Sequence, residues 1–268
     1  MTELIKKAKW FFFDLDDTLH EFCTASSAAV DAILRLVIEQ HVNHEHPSDK
    51  LLTVAELKTE YIKILKTGTS AAFVDGKTSH EYRAERFQSV MNTFGLSCTK
   101  QQIQTLLGTY ESTLMQNLQL KAGAISLLQI LKQQEKSIAI ITEGPQDAQE
   151  RTVAALGLEP YFDRLVTTNK LGVSKVDGLF GKALKLLGLR NADVVMVGDS
   201  WKRDIVPALD VGIDCVWLAE KEEDSERSVS VRGGEKSVVV VNSLSRLQII
   251  VEGTETPQAI RHVGLHQF

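Results

Sequence analysis

Short apolar runs and longer segments of helical spacing alternate along the chain, and this alternation predicts the fold class. The first apolar run, residues 10–13, is Trp-Phe-Phe-Phe, which is typical of a short strand buried on both faces of a parallel sheet. Later apolar runs predict strands at residues 137–141, 164–167, 193–197, 215–218 and 238–241. Because helical segments separate most of these runs, we predict an α/β fold with right-handed crossovers.

A long stretch between the first two predicted strands has helical character throughout. Residues 24–40 place apolar side chains at helical spacing. Three capping boxes, each an expected helix start, follow at Thr53-x-x-Glu56, Thr78-x-x-Glu81 and Thr99-x-x-Gln102. We therefore predict an all-helical domain at residues 21–118, inserted into a discontinuous α/β core of residues 1–20 and 119–252.

Three polar stretches show neither pattern. Residues 41–50 carry His41, His44 and His46, which we interpret as loop residues because no Cys or carboxylate cluster completes a tetrahedral zinc site. Residues 220–236 are charged and contain glycine, so we predict an exposed loop there. Residues 253–268 are predicted to form a polar tail without regular structure.

Composition and charge narrow the functional classes. The chain has 268 residues, of which 43% are hydrophobic and 24% charged, an ordinary globular composition. Its net charge of −5 argues against binding to nucleic acid or to an anionic membrane surface. Cys23, Cys98 and Cys215 form no paired motif, which fits a reducing compartment, and the N-terminal apolar run is too short for a signal peptide. We expect a cytoplasmic monomer or homodimer.

Candidate chemistry begins directly after the first predicted strand, where Asp14, Asp16 and Asp17 follow one another closely. Side chains two residues apart near a strand end lean to the same side, so Asp14 and Asp16 would repel each other unless a cation lay between them. Oxygen-only ligands suit Mg²⁺, and one aspartate would remain as a nucleophile or as an acid and base. A polar turn with a helix-capping Asp explains this stretch equally well by itself.

Four further polar residues favour the catalytic interpretation. Thr142, Lys175, Asp199 and Asp204 each follow a predicted strand or lie in the loop after it. A helix cap, a surface lysine or a Gly-Asp turn would explain any one of them. Their joint placement at the carboxyl edge of one sheet matches what phosphoryl transfer requires: an in-line nucleophile, positive charge on the phosphate oxygens and Mg²⁺.

Phosphoryl transfer assigns a role to each catalytic candidate. Asp14 would be the nucleophile that forms an aspartyl-phosphate, and Asp16 would protonate the leaving alcohol and later deprotonate water. Thr142 and Lys175 would bind phosphate oxygens and offset negative charge. Amides at the following helix start add Glu143 and Gly144 as substrate-binding candidates. The predicted metal-site residues are Asp14, Asp16, Asp199 and Asp204.

Four motifs in this order resemble those of the haloacid dehalogenase-like superfamily. They are Asp-Leu-Asp-Asp-Thr at residues 14–18, Ile-Ile-Thr at 140–142, Gly-Val-Ser-Lys at 172–175 and Val-Gly-Asp-Ser with a later Asp-Ile at 197–205. The resemblance implies a Rossmann-like α/β/α core with a helical cap between the first two motifs. It further implies a Mg²⁺-dependent phosphatase acting on a small phosphorylated metabolite, with Mg²⁺ held by the Asp14 carboxylate, the Asp16 backbone carbonyl and Asp199.

Three positions depart from the superfamily pattern. Glu143 stands where many relatives have Asn, Val176 where a Pro usually follows the lysine, and Pro207 lies within a predicted helix. None of them removes a predicted catalytic side chain. Glu143 places a negative charge next to the expected phosphate site, which bears on rate and substrate preference.

Several alternative functions share parts of this pattern. A dehalogenase of the superfamily lacks the second aspartate, so Asp16 favours phosphate chemistry. A phosphonate hydrolase would need a Schiff-base lysine in the cap, where Lys58, Lys63 and Lys66 are available without a recognisable motif. A phosphomutase shares the core motifs and stays open, as does a non-catalytic binding protein on the same fold. A phosphoacceptor signalling module would be shorter and would lack the helical insert.

The helical insert is expected to lie over the carboxyl edge of the sheet and to act as a lid that selects the substrate. Arg83 and Arg86 are its candidates for binding an anionic substrate group. A solvated helix face with ion pairs would also explain two arginines at this spacing.

Overall fold

The sheet and helices are taken from a computed structural model, which describes residues 2–42, 52–68, 73–222, 225–231, 234–253 and 260–262. The strands are β1 (Trp10–Phe13), β2 (Ser137–Thr142), β3 (Arg164–Thr167), β4 (Val194–Gly198), β5 (Asp214–Leu218), β6 (Ser225–Val231), β7 (Gly234–Val241) and β8 (Ile260–His262). The helices are α1 (Thr2–Lys7), α2 (Phe22–Val42), α3 (Val54–Gly68), α4 (Ser79–Thr93), α5 (Lys100–Gln116), α6 (Ala124–Gln133), α7 (Gln146–Ala155), α8 (Thr168–Leu171), α9 (Phe180–Leu187), α10 (Val206–Asp210) and α11 (Leu244–Glu252).

The described strands form one sheet in the order β3-β2-β1-β4-β5-β7-β6-β8. From β3 to β7 every neighbouring pair is parallel, which confirms the predicted Rossmann-like α/β fold. The chain leaves β1 on one side for β2 and β3 and then crosses to β4 and β5 on the other. The carboxyl end of β1 therefore lies at the switch point, where ligands bind in open α/β sheets.

β1 is buried on both faces because its side chains alternate between two apolar clusters. Phe11 and Phe13 pack with α6 and α11, whereas Phe12 packs on the opposite face with α9 and α10. All three phenylalanines are fully buried. Helices thus cover both faces of the strand, and the backbone that leads into Asp14 is held from both sides.

The C-terminal part of the sheet differs from the sequence-based predictions. The predicted loop at residues 220–236 is wrong, because β6 pairs antiparallel with β7 through this segment. The predicted tail is also wrong at Ile260–His262, which pairs with β6 as β8. The glycine pair at residues 233–234 and the alternating Ser-Val pattern before it are hairpin signals that the charge of the segment obscured.

Helices α2 to α5 lie between β1 and β2 and pack around an apolar cluster of their own; we call them the helical insert. Leu57, Phe87 and Leu106 lie at the centre of this cluster. Each predicted capping box is present: Thr53 exchanges hydrogen bonds with Glu56, as do Thr78 with Glu81 and Thr99 with Gln102. The limits of the insert as a separate domain remain a prediction. His44 and His46 lie outside the described residues.

Two short segments connect the helical insert to the core, and they run side by side. The Glu21 amide donates to the Gln119 carbonyl at 2.8 Å, and the Lys121 amide donates to the Leu19 carbonyl at 2.9 Å. The first connection follows Asp14 closely in the sequence, and the second connection is hydrogen-bonded to the first. The insert is therefore held over the carboxyl edge of the sheet. None of the described helices is long and apolar enough to cross a bilayer.

We expect core stability to depend on apolar contacts between α6 and the sheet. Leu127→Ala, at a fully buried position on α6, should lower the free energy of unfolding by about 2 to 5 kcal/mol. Leu186→Ala makes the same chemical change on α9, where Leu186 is 62% exposed, and should stay within about 0.5 kcal/mol of the parent protein. Urea unfolding of both variants is the measurement, and equal losses would contradict this packing.

Candidate active site

A cavity of about 410 Å³ lies between the carboxyl edge of the sheet and the helical insert. The core supplies its acidic and polar lining, which includes Asp14, Asp16, Thr142, Lys175 and Asp199. The insert supplies an aromatic and basic lining: Phe22, Tyr61, Phe73, Tyr82, Arg83, Arg86 and Tyr110. The structure thus brings together the candidates that the sequence placed at separate strand ends.

Asp14 and Lys175 form a buried ion pair at the centre of the core side. The Lys175 ammonium donates to Asp14 Oδ1 and, at 2.6 Å, to Asp204 Oδ1. All three side chains are at least nine-tenths buried. A buried charge is stable only when it is paired, so this lysine offsets two carboxylates at once.

The electrostatics of this group are set by burial and by like charges. Burial raises the pKa of Asp14 well above its usual value, Lys175 opposes the rise, and Asp204 and Asp199 add to it. Burial alone would lower the pKa of Lys175, but Asp14 and Asp204 outweigh it and raise that pKa. Lys175 therefore stays protonated. The carboxylates around it carry more negative charge than one lysine can offset.

Thr18 connects Asp14 to Asp199. Its hydroxyl lies 3.3 Å from Asp14 Oδ2 and 3.1 Å from Asp199 Oδ1, and it accepts the Asp199 amide at 3.1 Å. The Trp217 indole donates to the Asp199 carbonyl at 2.8 Å, which holds the loop after β4 from behind. Burial, followed by the charge of Asp204, raises the pKa of Asp199 to about 6.

A divalent cation fits this carboxylate cluster. One oxygen each from Asp14, Asp199 and Asp204 lie within 4.8 Å of one another. An all-oxygen donor set suits Mg²⁺, and a cation among these side chains would remove the repulsion that raises the pKa values of Asp14 and Asp199. The Asp16 carboxylate is not part of the cluster, so any metal contact of Asp16 is left to its backbone carbonyl, as the resemblance implies.

The Asp16 carboxylate faces two other side chains. Its Oδ1 lies 2.9 Å from Nε2 of the fully buried His20, and its Oδ2 accepts from Gln149 at 3.4 Å. These contacts fix the carboxylate at the cavity wall and away from the metal cluster. This orientation suits a group that exchanges protons with a substrate.

Thr142 and the turn after β2 are the expected phosphate site. The Thr142 hydroxyl is buried, lines the cavity and has no hydrogen-bond partner among the described residues. The Gly144 amide already donates to the Thr168 hydroxyl at 3.2 Å, and the Gln146 amide donates to Asn169 at 3.3 Å. The hydroxyl of Thr142 is therefore available to a phosphate oxygen, whereas a substrate contact by Gly144 stays a prediction.

Glu143 has protein partners on both carboxylate oxygens. Oε1 accepts the Lys175 amide at 3.2 Å, and Oε2 pairs with the Arg203 guanidinium. The negative charge that replaces the usual Asn is thus offset by Arg203. Glu143 positions the backbone of Lys175, and its predicted role in substrate binding remains untested.

The three lysines of the insert that could serve as the Schiff-base lysine of a phosphonate hydrolase lie outside the cavity. Lys58 pairs with Asp31 at 2.6 Å and Lys63 with Glu60 at 3.3 Å, while Lys66 is exposed. All three belong to the described part of the chain, and none lines the cavity. The arrangement does not support a Schiff-base mechanism.

Some residues of the site were missed by the sequence reasoning. Thr18 was quoted only as part of a motif, and His20, Gln149 and Arg203 were not singled out. His20 follows Asp16 by four residues and Arg203 immediately precedes Asp204, so proximity in sequence was an available signal for both. Gln149 is reached only through the fold, because α7 carries it back towards Asp16.

A comparison with protein-family models assigns the core to a known family. Residues 8–212 match the model described as haloacid dehalogenase-like hydrolase. The match covers most of the chain and includes the four motifs whose residues meet at the cavity.

Individual relatives align with this chain over a length similar to that of the family match. The chain is 26% identical over 211 residues to pyrimidine 5'-nucleotidase PynA of Streptococcus pneumoniae, which covers 78% of this chain and 83% of the relative. It is 27% identical over 215 residues to glyceraldehyde 3-phosphate phosphatase of Pyrococcus furiosus, covering 80% and 82%. The crystal structure of the HAD hydrolase YfnB from Bacillus subtilis, bound to magnesium, has a TM-score of 0.64 and 21% identity, covering 92% of this chain and 100% of that one, which shows the shared fold.

We expect the ionised Asp199 side chain to lower the stability of the metal-free protein and to contribute to metal binding. Because its pKa of about 6 lies above the unfolded value of 3.8, its ionised form is disfavoured in the fold and costs stability as pH rises through this window. Asp199→Asn should therefore unfold at higher temperature than the parent protein in EDTA near neutral pH. Mg²⁺ at a hundredfold excess over Kd should raise the free energy of unfolding of the parent protein by about 2.7 kcal/mol. The variant should lose most of this increase.

Thermal unfolding with EDTA and with Mg²⁺ measures both effects. Asp210→Asn is the matched control, because Asp210 is exposed on α10 and lies outside the metal cluster. An Asp199→Asn protein that is destabilised in EDTA, or that keeps the full Mg²⁺ response, would contradict the assignment.

Proposed function

This chain belongs to the haloacid dehalogenase-like hydrolase family, and we propose that it is a Mg²⁺-dependent phosphatase that acts through an aspartyl-phosphate on a small phosphorylated metabolite. The observation that carries the proposal is the pair Asp14 and Asp16. Asp14 is buried against Lys175 and the metal cluster, while Asp16, two residues on, faces the cavity with its own partners. One carboxylate is thus placed for attack and the other for proton transfer.

The first half-reaction forms the covalent intermediate. Asp14 attacks phosphorus, the bond from phosphorus to the ester oxygen breaks, and Asp16 gives its proton to the departing alcohol. Lys175 holds Asp14 in place and offsets charge at the phosphate, and the free Thr142 hydroxyl donates to a phosphate oxygen.

The second half-reaction returns the enzyme to its starting state. Asp16, now ionised, takes a proton from water, and the resulting hydroxide attacks phosphorus and releases Asp14. His20 and Gln149 hold the Asp16 carboxylate in one orientation through both steps. The same residue therefore acts first as acid and then as base.

Asp14, Asp199 and Asp204 are the side chains that would hold Mg²⁺, and the Asp16 carbonyl is the fourth protein ligand that the resemblance suggests. When bound, Mg²⁺ neutralises charge on the phosphoryl oxygens and on the carboxylates. The donor oxygens and the raised pKa values of Asp14 and Asp199 support this assignment.

Relatives and cavity size support a small substrate. The two relatives are named for a pyrimidine nucleotide and for glyceraldehyde 3-phosphate. A cavity of about 410 Å³ is within the usual size range of small-molecule sites. A cytoplasmic location completes the proposal, with support from Cys23, Cys98 and Cys215, which form no disulfide with one another. The proposed oligomeric state is a monomer or a homodimer.

Other nucleophiles and chemistries have less support. Burial and a hydrogen bond to Asp17 raise the pKa of Cys23 to about 12, so its thiolate is not available at the cavity. A dehalogenase does not need a proton donor at the position of Asp16. Because the Asp16 side chain is held at the cavity wall, the site favours phosphate chemistry. A phosphomutase would use the same two aspartates and is distinguished by its product.

We expect Asp14→Asn to abolish phosphate release. The amide keeps the shape of the carboxylate and removes the nucleophile, so activity should fall by at least ~10³-fold. Release of inorganic phosphate from a panel of phosphorylated metabolites is the measurement. In the parent protein it should need Mg²⁺ and stop in EDTA.

Asp17→Asn is the matched control for Asp14→Asn. Asp17 has a φ of 59°, which Asn tolerates, and its carboxylate accepts the Cys23 amide at 2.9 Å. Activity of this control should stay within about tenfold of the parent. Near-normal turnover by Asp14→Asn, or full activity after chelation, would refute the covalent Mg²⁺ mechanism, and transfer of phosphate to a second position of the substrate would favour the mutase.

Asp16→Asn should show a leaving-group effect. An alkyl phosphate needs a proton on its leaving oxygen, so kcat/KM should fall by about 10²- to 10⁴-fold for glycerol phosphate. Nitrophenolate leaves without a proton, so kcat/KM for p-nitrophenyl phosphate should fall much less. Equal losses for the two esters would show that Asp16 is not the general acid.

A further inference from the structure

Two arginines of the helical insert point to a second anion-binding position in the active-site cavity. Arg83 and Arg86 both line the cavity and are partly buried. The Arg83 guanidinium lies 4.5 Å from the centre of the Tyr110 ring, and that of Arg86 lies 5.5 Å from the centre of the Tyr61 ring. Neither arginine is part of a solvated helix face.

Hydrogen bonds fix both side chains without neutralising them. Arg83 donates to the Ser79 hydroxyl at 3.2 Å, and Arg86 donates to the Tyr61 hydroxyl at 3.1 Å. No carboxylate of the described residues forms an ion pair with either guanidinium. Both partners are neutral hydroxyls, so the two positive charges remain uncompensated at the cavity wall.

Arg151, close by on α7, shows the alternative arrangement. Its guanidinium pairs with Glu111 at 2.9 Å and with Asp147 at 3.0 Å, and Arg151 does not line the cavity. Its donation to Ser79 at 2.7 Å places it next to the Arg83 site. Carboxylates are thus available in this region, and they pair with the arginine that does not line the cavity.

The two ends of the cavity therefore carry opposite charge. The acidic side chains that line it all come from the stretch after β1 or from the core: Asp14, Asp16, Asp17, Glu143, Asp199 and Asp204. Arg83 and Arg86 come from α4 of the insert. An uncompensated cation in a partly buried, aromatic-lined site is most favourable when an anion joins it, and the guanidinium fork matches both carboxylate and phosphate.

We propose that the substrate is a phosphate monoester with a second anionic group, a carboxylate or another phosphate, that binds Arg83 and Arg86. This deepens the proposed function and rests on it. The scissile phosphate occupies the core end at Asp14 and Thr142, and the second anion sets the orientation of the leaving group. One face each of Tyr61 and Tyr110 is occupied by a guanidinium, so these rings support the arginines and do not serve as free stacking platforms for a base.

Matched ester pairs test the proposal in the full-length protein with Mg²⁺. Phosphoglycerate with glycerol phosphate, phosphoerythronate with erythritol phosphate, and phosphogluconate with sorbitol phosphate each compare a carboxylate with a neutral alcohol at three chain lengths. Fructose bisphosphate with fructose monophosphate compares a second phosphate with none. We expect kcat/KM to favour the second anion by at least ~10-fold in at least one pair.

Arginine variants locate the preference. Arg83→Gln with Arg86→Gln should lower kcat/KM for the preferred dianionic ester by at least ~10-fold and leave its neutral partner within about twofold. The loss should appear mainly in KM, and Arg83→Lys with Arg86→Lys should restore part of it. Arg35→Gln is the matched control, because Arg35 is exposed on α2 of the same insert and does not line the cavity.

Each outcome decides between the proposals. Hydrolysis of p-nitrophenyl phosphate with no preference in any pair, or variants that lose both partners of a pair equally, would overturn the second-anion site and leave the phosphatase intact. Absence of hydrolysis of every ester would overturn the phosphatase and the site that rests on it. A carboxylate preference without a bisphosphate preference, or the reverse, identifies which anion the arginines bind.

Discussion

The buried contact of Lys175 with Asp14 and Asp204 is the interaction on which the rest of the site depends. Burial removes the hydration of the Asp14 carboxylate and raises its pKa, and the charge of Lys175 opposes this rise and keeps Asp14 usable as a nucleophile. One ammonium cannot balance the negative charges of Asp14, Asp199 and Asp204 together. The cluster therefore keeps a net negative charge and is most stable with a divalent cation. Lys175 reaches Asp14 from the segment that follows β3, and the Glu143 carboxylate accepts the Lys175 amide and so holds that segment in place.

The parallel sheet makes that contact possible because it gathers distant residues at one edge. β1 is central, and Phe13 is level with Ile140 on β2 and with Val197 on β4. Asp14, Thr142 and Asp199 each follow these three residues by one or two positions, so they lie at the same edge of the sheet. The chain crosses from one side of β1 to the other, which places a switch point at the carboxyl end of β1, and the paired connections at Leu19 and Lys121 hold the helical insert above it. The apolar clusters on the two faces of β1 restrict the backbone that carries Asp14, so the geometry of the nucleophile is set by packing.

Sequence reasoning succeeded where local pattern and chemistry agree. The apolar run at residues 10–13 predicted β1, in which the three phenylalanines are buried and Trp10 is partly buried. The motifs at Asp14, Thr142, Lys175 and Asp199 follow predicted strands, so the parallel sheet and the meeting of these side chains at one edge were predictable, while their catalytic roles remain predictions. It failed where polarity disguised strand pairing, as in β6, and where a partner comes from a distant element, as with Gln149 and Asp16. The direction of Arg83 and Arg86 was also out of reach, since helical spacing is the same for a face towards solvent and a face towards the cavity.

Opposite charges at the two ends of the cavity suggest how binding and release are coupled on the proposed scheme. A substrate with two anions contacts Lys175 and Thr142 at the core and Arg83 and Arg86 at the insert, so it bridges the two parts of the molecule. After the first half-reaction the phosphoryl group stays on Asp14, and the leaving group keeps only its second anion. Its remaining contacts are with the insert alone, which no longer gains from staying closed over the core. On this scheme, loss of the bridge would admit the water that Asp16 deprotonates, and the arginines that select the substrate would also control when the intermediate is hydrolysed.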